Sequence, residues 1–173
     1  AQAEHDENAQ SILITDSKDF ATKVLSSIKK IKKDLPKKKI IEKSFKNNGI
    51  IVLVNNIELA AEIINFFAPE HLHLHISNYK ELLSKINNAG GIFLGEYSAE
   101  AFGDYIVGTN HVLPTSGAAK FSSGLGVLDF MKRNSVVEMN EKSYNMFSDD
   151  TQKMSGLEGL DGHKLSVRIR QKK

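Results

Sequence analysis

The stretch GDYIVGTNHVLPTSG, residues 103–117, sets Asp104, Tyr105, Asn110 and His111 among glycines and a proline. Such a loop has little apolar material to bury and several groups able to hold a metal, a proton or a polar substrate. The chain has six histidines and no cysteine. A metal site would therefore use nitrogen and oxygen donors, and neither a thiolate zinc site nor a disulfide framework is available. In APEHLHLHI, Glu70 and His71 form an adjacent carboxylate–imidazole pair at an element boundary. Imidazole titrates near neutrality and a carboxylate can activate water, so the pair suits proton transfer. A helix exit at Pro69 with polar residues around it explains the same letters. His71, His73 and His75 alternate along a predicted strand and share one face, leaving Leu72, Leu74 and Ile76 for the core. Three imidazoles on one face could hold a metal, but for His73 and His75 a polar strand face is the simpler account. Gln2 and His5 in QAEH share a face if that segment is helical, and each offers a ligand atom. A loose polar terminus would read the same way. His163 in EGLDGHK and His111 carry little weight individually.

The elements that must position these residues read as follows. SILIT (11–15) and GIIVLV (49–54) are short apolar runs, predicted as buried strands. Between them lies a helix capped by Asp16 or Ser17, with Phe20, Val24, Ile28, Ile31 and Leu35 on one face. Pro36 separates it from a second helix that ends at Asn48-Gly49. Asn56 caps a helix over 57–68 with apolar positions 59, 60, 63, 64 and 67, and a strand over 71–76 follows. A capped helix with a glycine exit, the strand GIFLG (91–95) and a short helix from Ser98 toward Phe102 complete the series. Strand and helix thus alternate from residue 11 to about residue 102. The alternation predicts an α/β fold with a mainly parallel sheet, an incomplete Rossmann-like domain. After Gly103 come a long polar loop, a predicted helix in GLGVLDFMKR and an extended NSVVEM. The division expected is residues 1–139 as an α/β part and 140–173 as a small helical segment. The apolar stripe of that segment (Tyr144, Phe147, Met154, Leu157, Leu160, Leu165, Ile169) is thin, which predicts packing on something outside the segment.

Composition narrows the function classes. With 173 residues the chain can bury a core without staples. A net charge of +2 points to no particular partner. The runs KKIKK and PKKK read as solvated faces of amphipathic helices, with no interleaved aromatics for base stacking, so no nucleic-acid partner is expected. No apolar run approaches the roughly 18 residues of a membrane span, and no signal peptide is evident. A reducing cytoplasm fits the missing cysteines. No G-x-G-x-x-G is present, so no residue is assigned to a dinucleotide.

Taken together, QAEHDENAQSILIT, FAPEHLHL, NAGGIFLGEYSAEAFGDYIVGTNHVLPTSGAAKFSSGLGVLDFMKR and EGLDGHKLSVRIR resemble the histidinol dehydrogenase family, in the same order. The resemblance covers essentially the whole chain and matches the later part of that family's sequence, which implies that residues 1–139 are the later part of its α/β catalytic domain. GDYIVGTNHVLPTSG is its most specific part. The family resemblance implies oxidation of L-histidinol to L-histidine through an aldehyde, with two NAD and a zinc ion that orients the substrate. It implies zinc ligands at Gln2, His5, Asp104 and His163. It makes His71 the base for the alcohol proton and Glu70 the acid–base residue that activates water. It implies substrate contacts at His71, Asp104, His111, Glu158 and His163. It further implies a homodimer in which Glu158 and His163 complete the partner's site. The alternative is a non-catalytic piece that binds zinc or imidazole, or one half of a split gene product needing a separate N-terminal half.

Overall fold

Ser17 and Asn56 start two of the helices of the α/β part by accepting hydrogen bonds from the backbone N–H of Phe20 (3.1 Å) and Leu59 (2.7 Å). The computed structural model describes residues 1–171. By internal contacts they form two compact units, one covering Ala1–Phe130 and the other beginning at Met131. The first contains β1 (Ile12–Thr15), α1 (Lys18–Ile31), α2 (Lys38–Asn48), β2 (Ile50–Leu53) and α3 (Ile57–Phe67). It continues with β3 (His71–Leu74), α4 (Tyr79–Leu83), β4 (Gly91–Leu94) and α5 (Glu100–Tyr105). The second unit contains α6 (Glu141–Leu157) and α7 (Asp161–Arg168).

The fold is α/β and every strand pairing among the described residues is parallel, as the alternation predicts. The strands form two separate pairs, β1 with β2 and β3 with β4. In register, Ile12 faces Ile50 and His71 faces Gly91. Leu72 and Leu74 of β3 are buried with Ala60, Ala61 and Ile64 of α3 and Leu82 of α4, and Ile14 and Val54 pack against this cluster. On α3 the buried stripe runs through Ala60, Ala61 and Ile64. It agrees with the expected stripe at Ala60 and Ile64 and adds Ala61, while Leu59, expected inside, stays exposed. Ile76 also departs from expectation: β3 stops at Leu74, and Ile76 lies beyond it and is exposed.

Three local expectations fail for identifiable reasons. Ser98 does not cap α5, because its hydroxyl donates to the Leu94 carbonyl (2.6 Å) at the exit of β4, and Ala99 takes the capping position. The helix itself continues past Phe102 to Tyr105, so Asp104 is helical and not in the loop. GLGVLDFMKR forms only a 3-10 turn over Val127–Phe130, with the Asp129 carboxylate accepting from the Gly126 N–H (2.6 Å). Val127, Leu128 and Phe130 are exposed, so the packing that stabilises most protein helices is lacking.

The N-terminal segment is anchored on α2. The buried Ser44 hydroxyl donates to the Ala9 carbonyl (2.7 Å), Lys43 pairs with Glu7 (2.7 Å), and Ala3 is buried. Gln2–Glu4 form a 3-10 turn in which the His5 N–H donates to the Gln2 carbonyl (3.3 Å). Residues three apart eclipse in that geometry, so Gln2 and His5 share a face.

Asn65 of α3 fixes the connection into β4. Its Nδ2 donates to the Lys85 carbonyl (2.8 Å), and its Oδ1 accepts from the N–H groups of Asn87 (2.8 Å) and Asn88 (3.1 Å). The chain then passes Gly90, where an added Cβ would lie 2.6 Å from the Glu70 carbonyl oxygen.

In the second unit α6 starts at Asn140, whose side chain accepts from the Ser143 N–H (2.9 Å), and α6 packs on α7. The Tyr144 hydroxyl donates to the Val167 carbonyl. The turn between the helices uses Gly159 at φ +71°, a left-handed position that favours glycine. Phe147, Met154, Leu157, Leu165 and Ile169 remain exposed, as the thin stripe implied.

Two stability predictions follow from this scaffold. Asn65→Ala removes one donor and two acceptances and should cost about 2–3 kcal/mol in urea denaturation. Asn65→Asp keeps the acceptances and should recover part of that loss, and equal midpoints for Asn65→Ala and the parent would remove Asn65 from this role. Gly90→Ala must push against backbone and should cost about 1–3 kcal/mol. A neutral Gly90→Ala would mean that β4 can draw away from Glu70 freely.

Candidate active site and metal centre

β3 begins at His71, whose side chain lies on the same face of the β3–β4 pair as Phe93, with Gly91 directly opposite His71. The chain leaves β4 at Gly95 (φ +82°) and returns as α5. Gly103 lets that helix come close to the sheet, since an added Cβ would lie 2.7 Å from the Phe93 ring. A helix that follows a strand in this way runs back along it, so the C-terminal end of α5 lies beside the start of β3. Asp104 thereby reaches His71. Parallel sheets usually bind ligands at the C-terminal ends of their strands, and this cluster sits at the opposite end.

The ring of His71 is the centre of the cluster. Its Nε2 lies 3.7 Å from Glu100 Oε1 and 3.9 Å from Asp104 Oδ1, and its Nδ1 lies 4.0 Å from Glu70 Oε2. The side chain is 16% exposed. Both ring nitrogens are buried and have no hydrogen-bond partner among the described residues. Buried polar atoms are nearly always paired, so an orphaned imidazole beside three carboxylates is built for something that arrives. The ring also lies against Phe93, with 6.0 Å between centroids.

Glu100 is the residue that sequence reasoning missed. It lies one helical turn before Asp104, and its side chain is 18% exposed. Burial raises its pKa above the usual carboxylate range, the neighbouring Asp104 raises it further, and His71 and His5 oppose the shift. The i, i+4 spacing of Glu100 and Asp104 was available in EYSAEAFGDY, but ending the helix at Phe102 hid it.

An open pocket of about 540 Å3 is lined by Gln2, His5, Glu70, His71, Asp104, Tyr105 and His111. Six residues singled out from sequence therefore meet in one place. Neither Lys nor Arg lines it, so its carboxylates have no fixed cation beside them. His71, Glu100 and Asp104 present donor atoms all within 4.8 Å of one another, the one such group among the described residues. This trio shares only Asp104 with the ligand set expected from sequence. A donor set of carboxylate oxygens, imidazole nitrogens and an amide, with no thiolate, suits a divalent ion that keeps positions open.

The loop after α5 is held by its own polar groups. The Thr109 hydroxyl donates to the Gly103 carbonyl (3.0 Å), and Asn110 Nδ2 donates to the Leu125 carbonyl (3.0 Å). Asn110 Oδ1 accepts from the Val112 N–H (2.7 Å), and Pro114 is buried. His111 is exposed at the pocket rim. Of the other histidines, His73 Nε2 lies 2.7 Å from the Gly95 carbonyl, and the His73 and His75 rings stack at 5.4 Å. Neither lines the pocket. Glu158 and His163 belong to the second unit. Glu158 caps the end of α6, His163 lies on α7, and both are exposed.

Comparison with known proteins gives one family. The family model described as histidinol dehydrogenase matches residues 1–171. The chain is 49% identical over 172 residues to the histidinol dehydrogenase of Hydrogenovibrio crunogenus, covering 99% of this chain and 40% of that protein. It is also 49% identical over 170 residues to that of Prochlorococcus marinus, covering 98% and 39%. The crystal structure of histidinol dehydrogenase from Elizabethkingia anophelis superposes with a TM-score of 0.87 at 35% identity, covering 97% of this chain and 39% of that one. The chain thus spans about 40% of the length of the curated relatives it matches. On the family match across residues 1–171, the relatives at 49% identity and the shared fold, this chain belongs to the histidinol dehydrogenase family.

Proposed function

We propose that this chain supplies the metal- and substrate-binding part of a histidinol dehydrogenase, an oxidoreductase of L-histidine biosynthesis that converts L-histidinol to L-histidine through the aldehyde. The observation that carries the reading is the buried, unpaired imidazole of His71 among Glu70, Glu100 and Asp104, in a pocket that Gln2, His5 and His111 also line. When bound, zinc supplies a positive charge that orients the substrate through its imidazole and amino nitrogens, and NAD supplies the hydride acceptor.

The roles of the chain's own residues follow. Gln2, His5 and Asp104 hold the metal from this unit, and His163 of the partner subunit completes the set. His71 takes the proton of the alcohol as the carbon is oxidised, which suits an imidazole at neutral pH. Glu70, beside it, takes a proton from the water that adds to the aldehyde. His111 contacts the substrate from the rim, and Glu158 of the partner subunit contacts its amino side. Exposed apolar residues on α6 and α7 support a homodimer with shared sites, and the start of α6 after Asn140 supports a functional boundary near 139/140. Among the described residues no helix is long and apolar enough to cross a membrane. A cytoplasmic setting goes with this reading, because NAD is a soluble intracellular cofactor.

A second reading has the 173 residues acting beside a separate chain.

Calorimetric titration of zinc into the chain, with and without L-histidinol, tests both. One zinc per chain, bound more tightly with L-histidinol, is expected. Absence of binding would leave the 173 residues dependent on a separate chain. Zinc binding indifferent to L-histidinol would sink the substrate assignment. Loss of an outer-sphere partner already weakens metal sites by about 10–100-fold, so Asp104→Ala and His5→Ala should each weaken zinc at least that much. His73→Ala should leave it unchanged, and normal zinc affinity in Asp104→Ala would strike Asp104 from the ligand set.

A further inference from the structure

We infer that Asn110 is the positioning residue for His111, holding it in the middle of a side-chain turn so that its imidazole stands at the pocket rim. The inference deepens the proposed function and rests on His111 as a substrate contact of that reading. Asn110 itself does not line the pocket, so it acts through its neighbour.

The two ends of the Asn110 amide make separate bonds. Its Oδ1 accepts from the Val112 N–H at 2.7 Å, which closes a turn over residues 110–112 with His111 between the partners. Its Nδ2 donates to the Leu125 carbonyl at 3.0 Å, and the Leu125 N–H donates to the Val112 carbonyl at 3.0 Å. Leu125 is thus bonded through its carbonyl to the residue before His111 and through its N–H to the residue after it. An amide supplies a donor and an acceptor together, whereas an ionised carboxylate of the same size only accepts. The flanks are fixed as well. The Thr109 hydroxyl donates to the Gly103 carbonyl (3.0 Å), and Pro114 is buried, its Cδ 3.2 Å from where a Cβ at Gly90 would stand. Gly124 passes so near this segment that an added Cβ would lie 3.0 Å from the Leu113 side chain. His111 is exposed, with no packing of its own to order it, so its place at the rim depends on these polar bonds. A contact residue ordered beforehand spares the substrate the cost of ordering it on binding.

Two measurements on the full 173-residue chain test this. The first is nitrogen-15 relaxation without zinc or L-histidinol. In the parent chain the His111 backbone should have an order parameter of about 0.85, as in rigid elements. Asn110→Ala loses both bonds and should bring His111 below about 0.6, the range of flexible backbone. Asn110→Asp keeps the turn, loses the link to Leu125 and should fall between. A mobile His111 in the parent, or unchanged order in Asn110→Ala, would overturn the inference. So would a loss of order that reaches α3 and β4 in Asn110→Ala, since it would mark a folding role. The second is L-histidinol affinity of the zinc-loaded chain. Asn110→Ala should weaken it by about three- to tenfold, the scale of ordering one free side chain, and should have no further effect in a His111→Ala background. Unchanged affinity, or the same loss repeated in that background, would show that Asn110 does not act through His111 and would also overturn the inference. A parent chain that binds no L-histidinol would sink the proposed substrate instead, and the order parameters alone would then decide the role of Asn110.

Discussion

The parallel pairing of β3 with β4, in the register that sets His71 opposite Gly91, is the constraint on which the candidate site depends. It leaves a residue without a side chain beside the imidazole and places Phe93 one step further along the same face. It also requires Gly90 to pass so near the Glu70 carbonyl that no Cβ fits between them. A slip of one residue would turn His71 into the core and Leu72 out to solvent. The burial of Leu72 and Leu74 against α3 therefore holds the register and the chemistry together.

From that pairing the rest of the site is assembled by short-range devices. Asn65 ties the α4–β4 connection to α3, Gly103 brings α5 against Phe93, and Ser44 pins the N-terminal segment to α2. Each device delivers a different functional group. The first fixes the strand that faces His71, the second delivers Asp104 and Glu100, and the third supports the turn that carries Gln2 and His5. The result concentrates carboxylates around a buried ring with no Lys or Arg in the lining to neutralise them. Such an arrangement is unfavourable by itself and becomes favourable when a cation enters.

Many of the large apolar residues in both units are exposed, among them Phe20, Leu53, Phe66, Phe121 and Leu157. The first unit buries a small core, and α1 is covered chiefly at Ala21. Relatives are more than twice as long as this chain, so the surfaces that a longer protein or a partner would cover are open to view.

By itself the sequence determined the α/β alternation, the cap at Asn56, the cap at Ser17 as one of two candidates, and the buried face of β3, because these depend on local periodicity and on side chains reaching their own backbone. It also singled out Gln2, His5, Glu70, His71, Asp104 and His111, because the spacing and composition of their motifs are unusual. Only the tertiary structure decided that the strands form two separate pairs, that α5 runs on to Tyr105, and that GLGVLDFMKR is a turn. Competition between hydrogen-bond partners, as at Ser98, and the presence or absence of packing settle such boundaries, and neither is written in a local pattern. Glu100 belongs with these. An exposed-looking glutamate becomes part of the site only when a helix of the right length lies against a strand of the right register, and both facts are long-range.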